Sequence, residues 1–244
     1  MNNLKRNTFK KFNKAAQRYD FYAFDKSLGL RYLSYLETLF IQKHLKKNKG
    51  ENLFLDLGIG TGRISRVLLK KNLKVKGMDF SEEMIRLSKQ NLANYIKDKK
   101  LQIYKIDLNN KLPFPDNSFN GAICIRVIKY VKNWEQAIRE VSRVTKPNSI
   151  FILEYSNFYS VQSLSQLFAG YLTFKSSEIN NCLLESGFRI INQMYGVKLP
   201  FYFYKYTNSE SNLKRLIQVE SLLRKLLGKY FSRNTIVYSQ KIAI

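Results

Sequence analysis

The sequence predicts an α/β protein built on a Rossmann-like, doubly wound sheet. The apolar run of residues 53–57 leads into Gly58-Ile59-Gly60-Thr61-Gly62, and a helical pattern follows at once. A second strand pattern, residues 73–78, ends in Asp79. This acid lies about 20 residues beyond the glycines, where Rossmann-type folds place the carboxylate that binds a ribose diol. Strand and helix patterns then alternate along the chain, which is typical of parallel sheets.

The glycine loop predicts a tight turn that comes close to a ligand, because glycine has no Cβ. The helix behind it offers free N–H groups in its first turn. A Gly-x-Gly motif alone is a weak signal, and it gains weight here from the strand, helix, second strand and acid around it. Arg63 stands where the dinucleotide-binding motif has glycine or alanine, which disfavours an NAD-dependent oxidoreductase.

The elements around the loop follow from local patterns. Residues 28–47 repeat apolar side chains at helical spacing. After the second strand, Ser81 is a good N-cap, and Ile85, Leu92 and Ile96 fall on one face of the helix that it starts. The next predicted elements are a strand at 101–106, a strand at 120–125, a helix at 134–144 and a strand at 150–154.

The last third of the chain is predicted to add a cap and complete the sheet. Its expected elements are a helix at 158–174, a helix at 175–186 ended by Gly187, a strand at 188–191, an aromatic run at 201–206, a basic amphipathic helix at 211–227 ended at Gly228, and a strand at 235–242. The aromatic run and the basic helix form an insertion before the final strand. This insertion is expected to build an acceptor pocket or to rest on a membrane surface, and plain core packing is the alternative.

Residues 55–62 (Leu-Asp-Leu-Gly-Ile-Gly-Thr-Gly) resemble the first motif of class I S-adenosylmethionine (SAM) methyltransferases, in particular the methyltransferase-11 or quinone-biosynthesis-like family. Residues 112–120 and 146–149 are similar to the family's Leu-Pro-Phe-x-x-x-x-Phe-Asp segment and Lys-Pro-Gly-Gly turn. Asn120, Asn148 and Ser149 depart from those patterns. The resemblance is dense from about residue 53 to residue 156. It implies a seven-stranded sheet with the last strand antiparallel beside the fifth, and SAM as the cofactor.

The resemblance also implies which residues bind SAM. They are Asp56, Gly58, Gly60, Thr61, Gly62, Asp79, Phe80, Asp107, Leu108 and Arg126. Asp79 is expected at the ribose, Asp107 at the adenine amine and Leu108 along the adenine ring. For Asp107, a turn residue without a ligand is the alternative.

The segment after the fourth strand, residues 126–130, is expected beside the transferred methyl group. It lacks the Asn/Asp-Pro-Pro-aromatic loop of amino-methylating enzymes, which disfavours N-methylation of bases. Tyr130 stands where many relatives have histidine. Arg126, Lys129, Tyr130 and Tyr19 are catalytic candidates by position only, and no general base is identified.

Two other regions carry expectations of their own. In residues 1–27, Phe12, Ala16, Tyr19 and Asp20 resemble the N-terminal segment that packs over the cofactor in quinone-biosynthesis-type methyltransferases. An ordinary amphipathic lead-in helix is the alternative. His44, the only histidine, is better explained as a cation at a helix C-terminus than as a catalytic group.

The composition suits one domain with a core, divided into a helical cap segment at 1–47, a SAM-binding core at 48–156 and a C-terminal half at 157–244. Hydrophobic residues make up 45% of the 244 residues, and the two cysteines show no metal spacing. The N-terminus shows no signal-peptide pattern and no apolar run is long enough to span a bilayer, so we expect a cytoplasmic protein, with peripheral membrane contact left open.

The net charge of +24 favours contact with RNA, a phosphorylated substrate or an anionic membrane surface. A biased lysine-rich composition explains it equally well, because the lysines are scattered. The first functional hypothesis is a SAM-dependent methyltransferase that acts on a small, largely apolar acceptor by O- or C-methylation, without a metal. The alternatives are a tRNA or rRNA methyltransferase and a non-catalytic SAM-fold partner protein.

Overall fold

The computed structural model describes residues 19–20, 25–45, 52–161, 163 and 170–243. Phe12 and Ala16 of the expected N-terminal segment lie outside these residues, and so do residues 162 and 164–169 of the expected helix at 158–174. Within the described residues, no helix is both long and apolar enough to cross a membrane.

A seven-stranded sheet forms the centre of the molecule. Its strands are β1 (Leu53–Leu57), β2 (Lys74–Asp79), β3 (Leu101–Lys105), β4 (Phe119–Cys124), β5 (Thr145–Ser156), β6 (Phe188–Tyr195) and β7 (Asn234–Lys241). The strand order is β3-β2-β1-β4-β5-β7-β6, and β7 runs antiparallel to both of its neighbours. The predicted doubly wound sheet, with its last strand antiparallel beside the fifth, is confirmed.

The described helices are α1 (Leu28–His44), α2 (Arg63–Lys70), α3 (Glu82–Asn91), α4 (Ala93–Lys97), α5 (Trp134–Val144), α6 (Ser176–Glu185), α7 (Phe201–Tyr206) and α8 (Glu210–Leu227). A short 3₁₀ turn covers Ile128–Tyr130. The Ser81 hydroxyl accepts a bond from the Met84 amide, which confirms the predicted N-cap of α3.

Two apolar layers cover the two faces of the sheet. Strand β5 shows the alternation: Phe151, Leu153 and Tyr155 pack in the layer that includes α5 and α6, whereas Ile152 packs in the layer that includes α1 and α2. A third, smaller cluster joins α7 and α8 to α1, with Tyr204 fully buried in it. The insertion before β7 is therefore fixed to the first described helix.

The structure corrects three local predictions. The helix after β2 is broken at Leu92, so Ile96 lies on the separate α4. Residues 146–149 are not a turn before β5 but an irregular part of it, since the pairing with β4 jumps from Thr145 to Ile150. Asn148 has a φ of +62° within this bulge, a conformation that asparagine tolerates better than most residues. Tyr171 and Leu172, at the end of the expected helix 158–174, are not helical.

The sheet also explains where a ligand can bind. Strands β1, β2 and β4 are parallel, so their carboxyl ends meet at one edge. The connections from β1 lead to β2 on one side, and β4 lies on the other side of β1. In doubly wound sheets, ligands bind in the crevice at this switch of strand order.

Candidate cofactor and acceptor site

The glycine loop is tied to the neighbouring strand by its backbone. The amides of Gly58 and Ile59 both donate to the Met78 carbonyl, at 2.8 Å each. Gly58 has a φ of +76°, and a Cβ at this position would come within 2.3 Å of a Val127 methyl group. The loop therefore packs directly against the segment that follows β4, and only glycine fits there.

Asp79 sits at the end of β2 and faces the glycine loop. Its Oδ2 atom accepts a bond from the Gly60 amide at 3.0 Å, and its Oδ1 atom accepts one from the Ser81 amide at 2.9 Å. Burial raises the pKa of Asp79, and the backbone amides of Ser81 and Gly60 oppose that effect. The loop and the acid thus form one preorganised unit, a contact that the sequence did not predict, and the expected role of Asp79 at a ribose stays a prediction.

An open cleft lies over this unit and holds about 750 Å³ of empty space, counting its mouth. The cleft is lined by Tyr19, Gly58, Gly60, Asp79, Phe80, Met84, Ile106, Asp107, Leu108, Asn109, Ile125, Arg126, Val127, Tyr130 and Val131. Most of the residues that the sequence singled out for SAM binding or catalysis meet here.

Three of the residues expected to bind SAM lie behind the lining. Asp56 accepts a bond from the Ser65 hydroxyl of α2 at 2.6 Å. The Thr61 hydroxyl donates to Asp20 at 2.6 Å, and Gly62 is the N-cap residue of α2. Their contribution to SAM binding stays a prediction, and in this structure they support the loop rather than line the cleft.

The wall near β3 is built around Asp107. Its Oδ1 atom accepts bonds from the amide and the side-chain nitrogen of Asn109, at 3.0 and 2.8 Å. Leu108 is buried beside it and Phe80 forms part of the opposite lining. A carboxylate next to two apolar side chains can accept a hydrogen bond from the exocyclic amine of adenine while the adenine ring packs against those side chains. The binding of adenine by Asp107 and Leu108 stays a prediction.

A buried ionic triad joins α1 to the cleft, and the sequence analysis missed it. Arg63 and Arg126 each donate to Glu37, at 2.7 and 2.6 Å, and Glu37 is 5% exposed. Burial acts to raise the pKa of Glu37, but the guanidinium groups of Arg126 and Arg63 lower it overall. Sequence offered one signal: a charged residue at an apolar position of α1, between Leu33 and Phe40.

Glu154 and Arg233 form a second polar group at the same edge of the sheet. Glu154, near the end of β5, is 7% exposed, and its Oε1 atom accepts a bond from Asn234 at 2.5 Å. Its Oε2 atom is buried and has no hydrogen-bond partner among the described residues. The Arg233 guanidinium lies 4.4 Å from the centre of the Phe201 ring. Neither residue was singled out from the sequence, because Glu154 lies within an apolar strand, Arg233 directly precedes one, and no motif marks either residue.

The aromatic side of the cleft is formed by the segment after β4. Tyr130 packs edge-on against Tyr171 with ring centres 5.1 Å apart, and the Leu172 amide donates to the Lys129 carbonyl at 2.9 Å. Burial, and then the proximity of Tyr19, raises the pKa of Tyr130. Tyr130 is therefore a neutral phenol at physiological pH, suited to packing and hydrogen bonding rather than to proton removal.

His44 lies away from the cleft, at the C-terminal end of α1 as expected. Its ring contacts those of Phe40 and Tyr238, at 4.3 and 4.5 Å between centres, and Nδ1 lies 2.7 Å from the Phe40 carbonyl oxygen. Its place in the fold is structural. In the part of the chain that the structure describes, no cluster of potential metal ligands occurs.

The glycine loop leaves room for a bound molecule next to Gly60. A Cβ built on Gly60 would meet nothing closer than the Gly58 carbonyl oxygen at 4.0 Å, although the loop is otherwise tightly packed. The space next to Gly60 is thus empty, and Gly60 lines the cleft. Asp79 at the end of β2 can hold a ribose, and the Leu108 side can hold a purine. These residues match the shape and polarity of an adenosyl group.

Comparison with known proteins supports the same conclusion. A family model described as a methyltransferase domain matches residues 55–153. A ubiquinone/menaquinone biosynthesis C-methyltransferase of Rickettsia bellii is 31% identical over 170 residues, which cover 67% of this chain and 65% of that protein. A demethylmenaquinone methyltransferase of Tropheryma whipplei is 29% identical over 150 residues, which cover 61% and 59%. The chain thus spans about three fifths of the length of these relatives.

The similarity in fold extends further than the similarity in sequence. The crystal structure of the [4+2]-cyclase SpnF aligns with 98% of this chain and 97% of that chain, with a TM-score of 0.72 and 15% identity. At this identity the match speaks for the fold alone. The cap region around α7 and α8 is therefore part of a known overall architecture, beyond the range of the family model.

Proposed function

We propose that the chain, whose residues 55–153 match the methyltransferase-domain family model, transfers a methyl group from SAM to a small, largely apolar acceptor by O- or C-methylation. The observation that carries the proposal is the cleft at the switch of strand order, where the glycine loop, Asp79 and Leu108 stand on one side and Arg126 and Tyr130 on the other.

In this proposal, some residues of the cleft bind the cofactor and others position the acceptor. When bound, SAM supplies an electrophilic methyl group, so the protein needs above all to hold donor and acceptor in line. Positioning of this kind can contribute about 7–11 kcal/mol to lowering the barrier. Asp79 and the glycine loop would hold the adenosyl part, and the Glu37–Arg126 ion pair fixes the wall that faces the methyl group.

The nature of the acceptor is inferred from the walls next to Tyr130. The Tyr130–Tyr171 pair and the neighbouring Ile125, Val127 and Val131 offer mainly aromatic and aliphatic surface. The names of the relatives from Rickettsia and Tropheryma favour C-methylation of a quinone-type ring. Within the proposal, a phenol or enol that is flat and apolar is the acceptor class that suits this surface best.

Cofactor binding tests the first part of the proposal. Titration calorimetry should detect SAM binding to the wild-type chain, and Gly60→Leu and Asp79→Ala should each reduce the affinity by at least about 10²-fold, about 3 kcal/mol. Gly187→Leu is the matched control for Gly60→Leu, because Gly187 also has a positive φ, of +80°, with open space around it. Full SAM binding by both cleft variants would refute the assignment.

Methyl transfer tests the second part. The chain is incubated with methyl-labelled SAM and a cell extract separated into lipid, small-molecule, protein and RNA fractions. Label in the lipid or small-molecule fraction supports the apolar acceptor. Label in RNA would instead favour an RNA methyltransferase, the alternative that the net charge of +24 keeps open.

A further inference from the structure

We propose that Glu154 is a catalytic residue whose Oε2 atom accepts a hydrogen bond from a hydroxyl group of the acceptor and then receives its proton. This inference rests on the proposed function and adds the group that the sequence could not identify. It concerns acceptors of the phenol or enol class, which become good nucleophiles only when that proton leaves.

The register of the sheet places Glu154 beside the cleft. Cys124 of β4 pairs with Leu153 of β5, and the two strands are parallel, so Glu154 comes level with Ile125. Ile125 and the following Arg126 both line the cleft. Because Leu153 packs in the layer of α5 and α6, side-chain alternation puts Glu154 on the opposite face, towards α1.

A second, smaller cleft contains residues that interact with Glu154. It is lined in part by Glu37, Arg233 and Asn234. Asn234 donates to Glu154, and Glu37 binds Arg126 of the cofactor cleft. Glu154 is thus linked to residues of both clefts, through its bond with Asn234 and through its charge interactions with Arg126 and Glu37.

The Oε2 atom of Glu154 is buried without a hydrogen-bond partner, and a bound molecule could supply one. Among the described residues it is the only buried carboxylate oxygen without a hydrogen-bond partner. Leaving a buried polar atom unsatisfied costs about 1–3 kcal/mol, and more when the group is charged. A hydroxyl group donated by a bound acceptor would remove that cost, and it would do so only in the complex.

The electrostatic surroundings suit a proton acceptor. Burial and the nearby charge of Glu37 raise the pKa of Glu154, while Arg126, Lys129 and Arg233 act in the opposite direction. A carboxylate with a raised pKa is a stronger base than one in water. The Arg233 guanidinium packs on the Phe201 ring and interacts electrostatically with Glu154 and Glu37, so it would add positive charge near a developing oxyanion.

The other carboxylates near the cleft are bonded to backbone amides or to other side chains. Both oxygens of Asp79 accept backbone amides, and Asp56 is bonded to Ser65. Glu37 binds two arginines, and its pKa is lowered. Asp107 holds Asn109. Among these described carboxylates, Glu154 is the one with a buried oxygen atom that has no hydrogen-bond partner.

The step balances without another reactant. The O–H bond of the acceptor breaks and its proton moves to Glu154 Oε2. The electron pair left on the acceptor forms the new bond to the methyl carbon, from oxygen in O-methylation or from the adjacent ring or enol carbon in C-methylation. In C-methylation, the carbon that received the methyl group then loses its hydrogen as a proton to solvent, and the oxygen takes up a proton, which restores the phenol or enol. The bond from that methyl carbon to the sulfonium breaks, and its electron pair stays on sulfur as a neutral thioether. The proton leaves Glu154 to solvent after product release.

Glu154→Gln tests the proposal, with label transfer from SAM into the lipid and small-molecule extract as the assay. We expect the rate to fall by about 10²–10⁴-fold, as for loss of a general base, while SAM affinity measured by calorimetry changes less than about twofold. Glu154→Asp should retain part of the rate. Glu140→Gln, which changes a buried carboxylate bonded to Leu112 and Arg143 instead, should transfer methyl groups at the wild-type rate.

A pH profile and a stability measurement separate catalysis from structure. The wild-type rate should fall at acid pH as Glu154 becomes protonated, and the residual rate of Glu154→Gln should lack that fall. The midpoint of urea unfolding of Glu154→Gln should not decrease, because a buried charge without a full set of partners is removed. Three results for Glu154→Gln would overturn the proposal. They are a rate within about fivefold of wild type, a rate that still falls at acid pH as the wild-type rate does, and a lower unfolding midpoint together with an equal loss in SAM affinity. Absence of SAM binding or of transfer by the wild-type chain would instead refute the proposed function.

Discussion

At the scale of single residues, Asp56 shows how the glycine loop is supported from behind. It is 2% exposed, and burial raises its pKa from 3.8 to about 6, although its bond to Ser65 opposes the rise. A folded state that binds a proton more tightly than the unfolded chain loses stability as pH rises through that interval. The free energy of unfolding should therefore contain a part that falls between about pH 4 and pH 6.

Asp56→Asn tests this prediction. The amide keeps an oxygen for the Ser65 hydroxyl but does not titrate. Relative to wild type, its free energy of unfolding without SAM should therefore rise by about 3 kcal/mol from pH 4 to pH 7. Urea unfolding across this range measures the difference. Asp98→Asn, at an exposed position, is the control and should show no such rise. A constant difference between Asp56→Asn and wild type would contradict the predicted proton uptake.

The residues of the site were predictable only where a local motif marked them. Gly58, Gly60, Asp79 and Leu108 follow strand ends at recognisable spacing, and all of them line the cleft. Glu37 belongs to the cleft through partners 26 and 89 residues away, on two other elements. No periodic pattern reports such long-range ion pairs. The same reason hid Glu154, whose partner Asn234 is 80 residues distant.

At the scale of elements, the insertion of α7 and α8 is held in place by buried polar groups. The amides of Lys198 and Leu199 donate to Glu220 of α8, at 3.0 and 2.7 Å. The Lys198 ammonium donates to the carbonyl groups of Gly228 and Tyr230, at 2.7 Å each, just beyond the end of that helix. Helix α8 is thus fixed at its middle and at its C-terminus.

The outer side of α8 carries an apolar ridge, defined by Val219, Leu222 and Leu226. These residues are 46%, 57% and 71% exposed and are spaced three and four positions apart, so they share one face. Lys214 and Lys225 are exposed on the same helix. A basic helix with an exposed apolar stripe is typical of binding to an anionic membrane surface, which remains a prediction for this chain.

The ridge makes the membrane prediction testable. The double variant Leu222→Glu/Leu226→Glu should weaken binding to vesicles that contain phosphatidylglycerol by about tenfold or more, since it removes apolar contact and adds two negative charges. Cosedimentation with the vesicles measures the binding. Leu184→Glu, at a leucine of α6 that is 54% exposed, is the control and should bind as wild type does. Equal binding by the double variant and wild type would exclude this ridge as the contact.

Sequence patterns predicted the positions of the helices and strands better than they predicted the breaks and bulges within them. The helix after β2 was expected from the Ser81 cap and its apolar spacing, but its break at Leu92 was not. A side chain at Gly62 would collide with Leu92, at 2.5 Å from its Cδ1 atom, so this leucine is packed against the loop. The bulge at Asn148 likewise depends on its partner strand, since the register shift exists only relative to β4.

At the scale of the whole molecule, the fold was predictable because local patterns and topology agree. Alternating strands and helices leave few arrangements, and right-handed crossover connections reduce them further. The antiparallel placement of β7 beside β5 came from the family resemblance, since no feature of its own residues requires it, and its pairing with β6 on the other side was not predicted. The net charge, by contrast, follows directly from composition, but the sequence did not predict where on the surface the positive charge is concentrated.

That charge has a consequence for the stability of the whole chain, whatever its partners are. With 42 Lys and Arg against 18 Asp and Glu, the folded state brings like charges closer together than the unfolded chain does. Salt shortens the screening length from about 30 Å at 0.01 M to about 8 Å at 0.15 M, which weakens this repulsion. The buried pairs that Glu37 makes with Arg63 and Arg126 are screened much less.

The free energy of unfolding should therefore rise with potassium chloride concentration over this range, as measured by urea unfolding at constant pH. Replacing three exposed lysines on separate helices, Lys70, Lys89 and Lys97, by glutamine should reduce the slope. Sucrose in place of salt controls for general solvent effects and should act equally on both proteins. A free energy that falls with salt would show that attractive surface pairs such as Lys105–Glu82 outweigh the repulsion. The excess of lysine would then be balanced locally, and the +24 charge would offer little long-range attraction for RNA or a membrane.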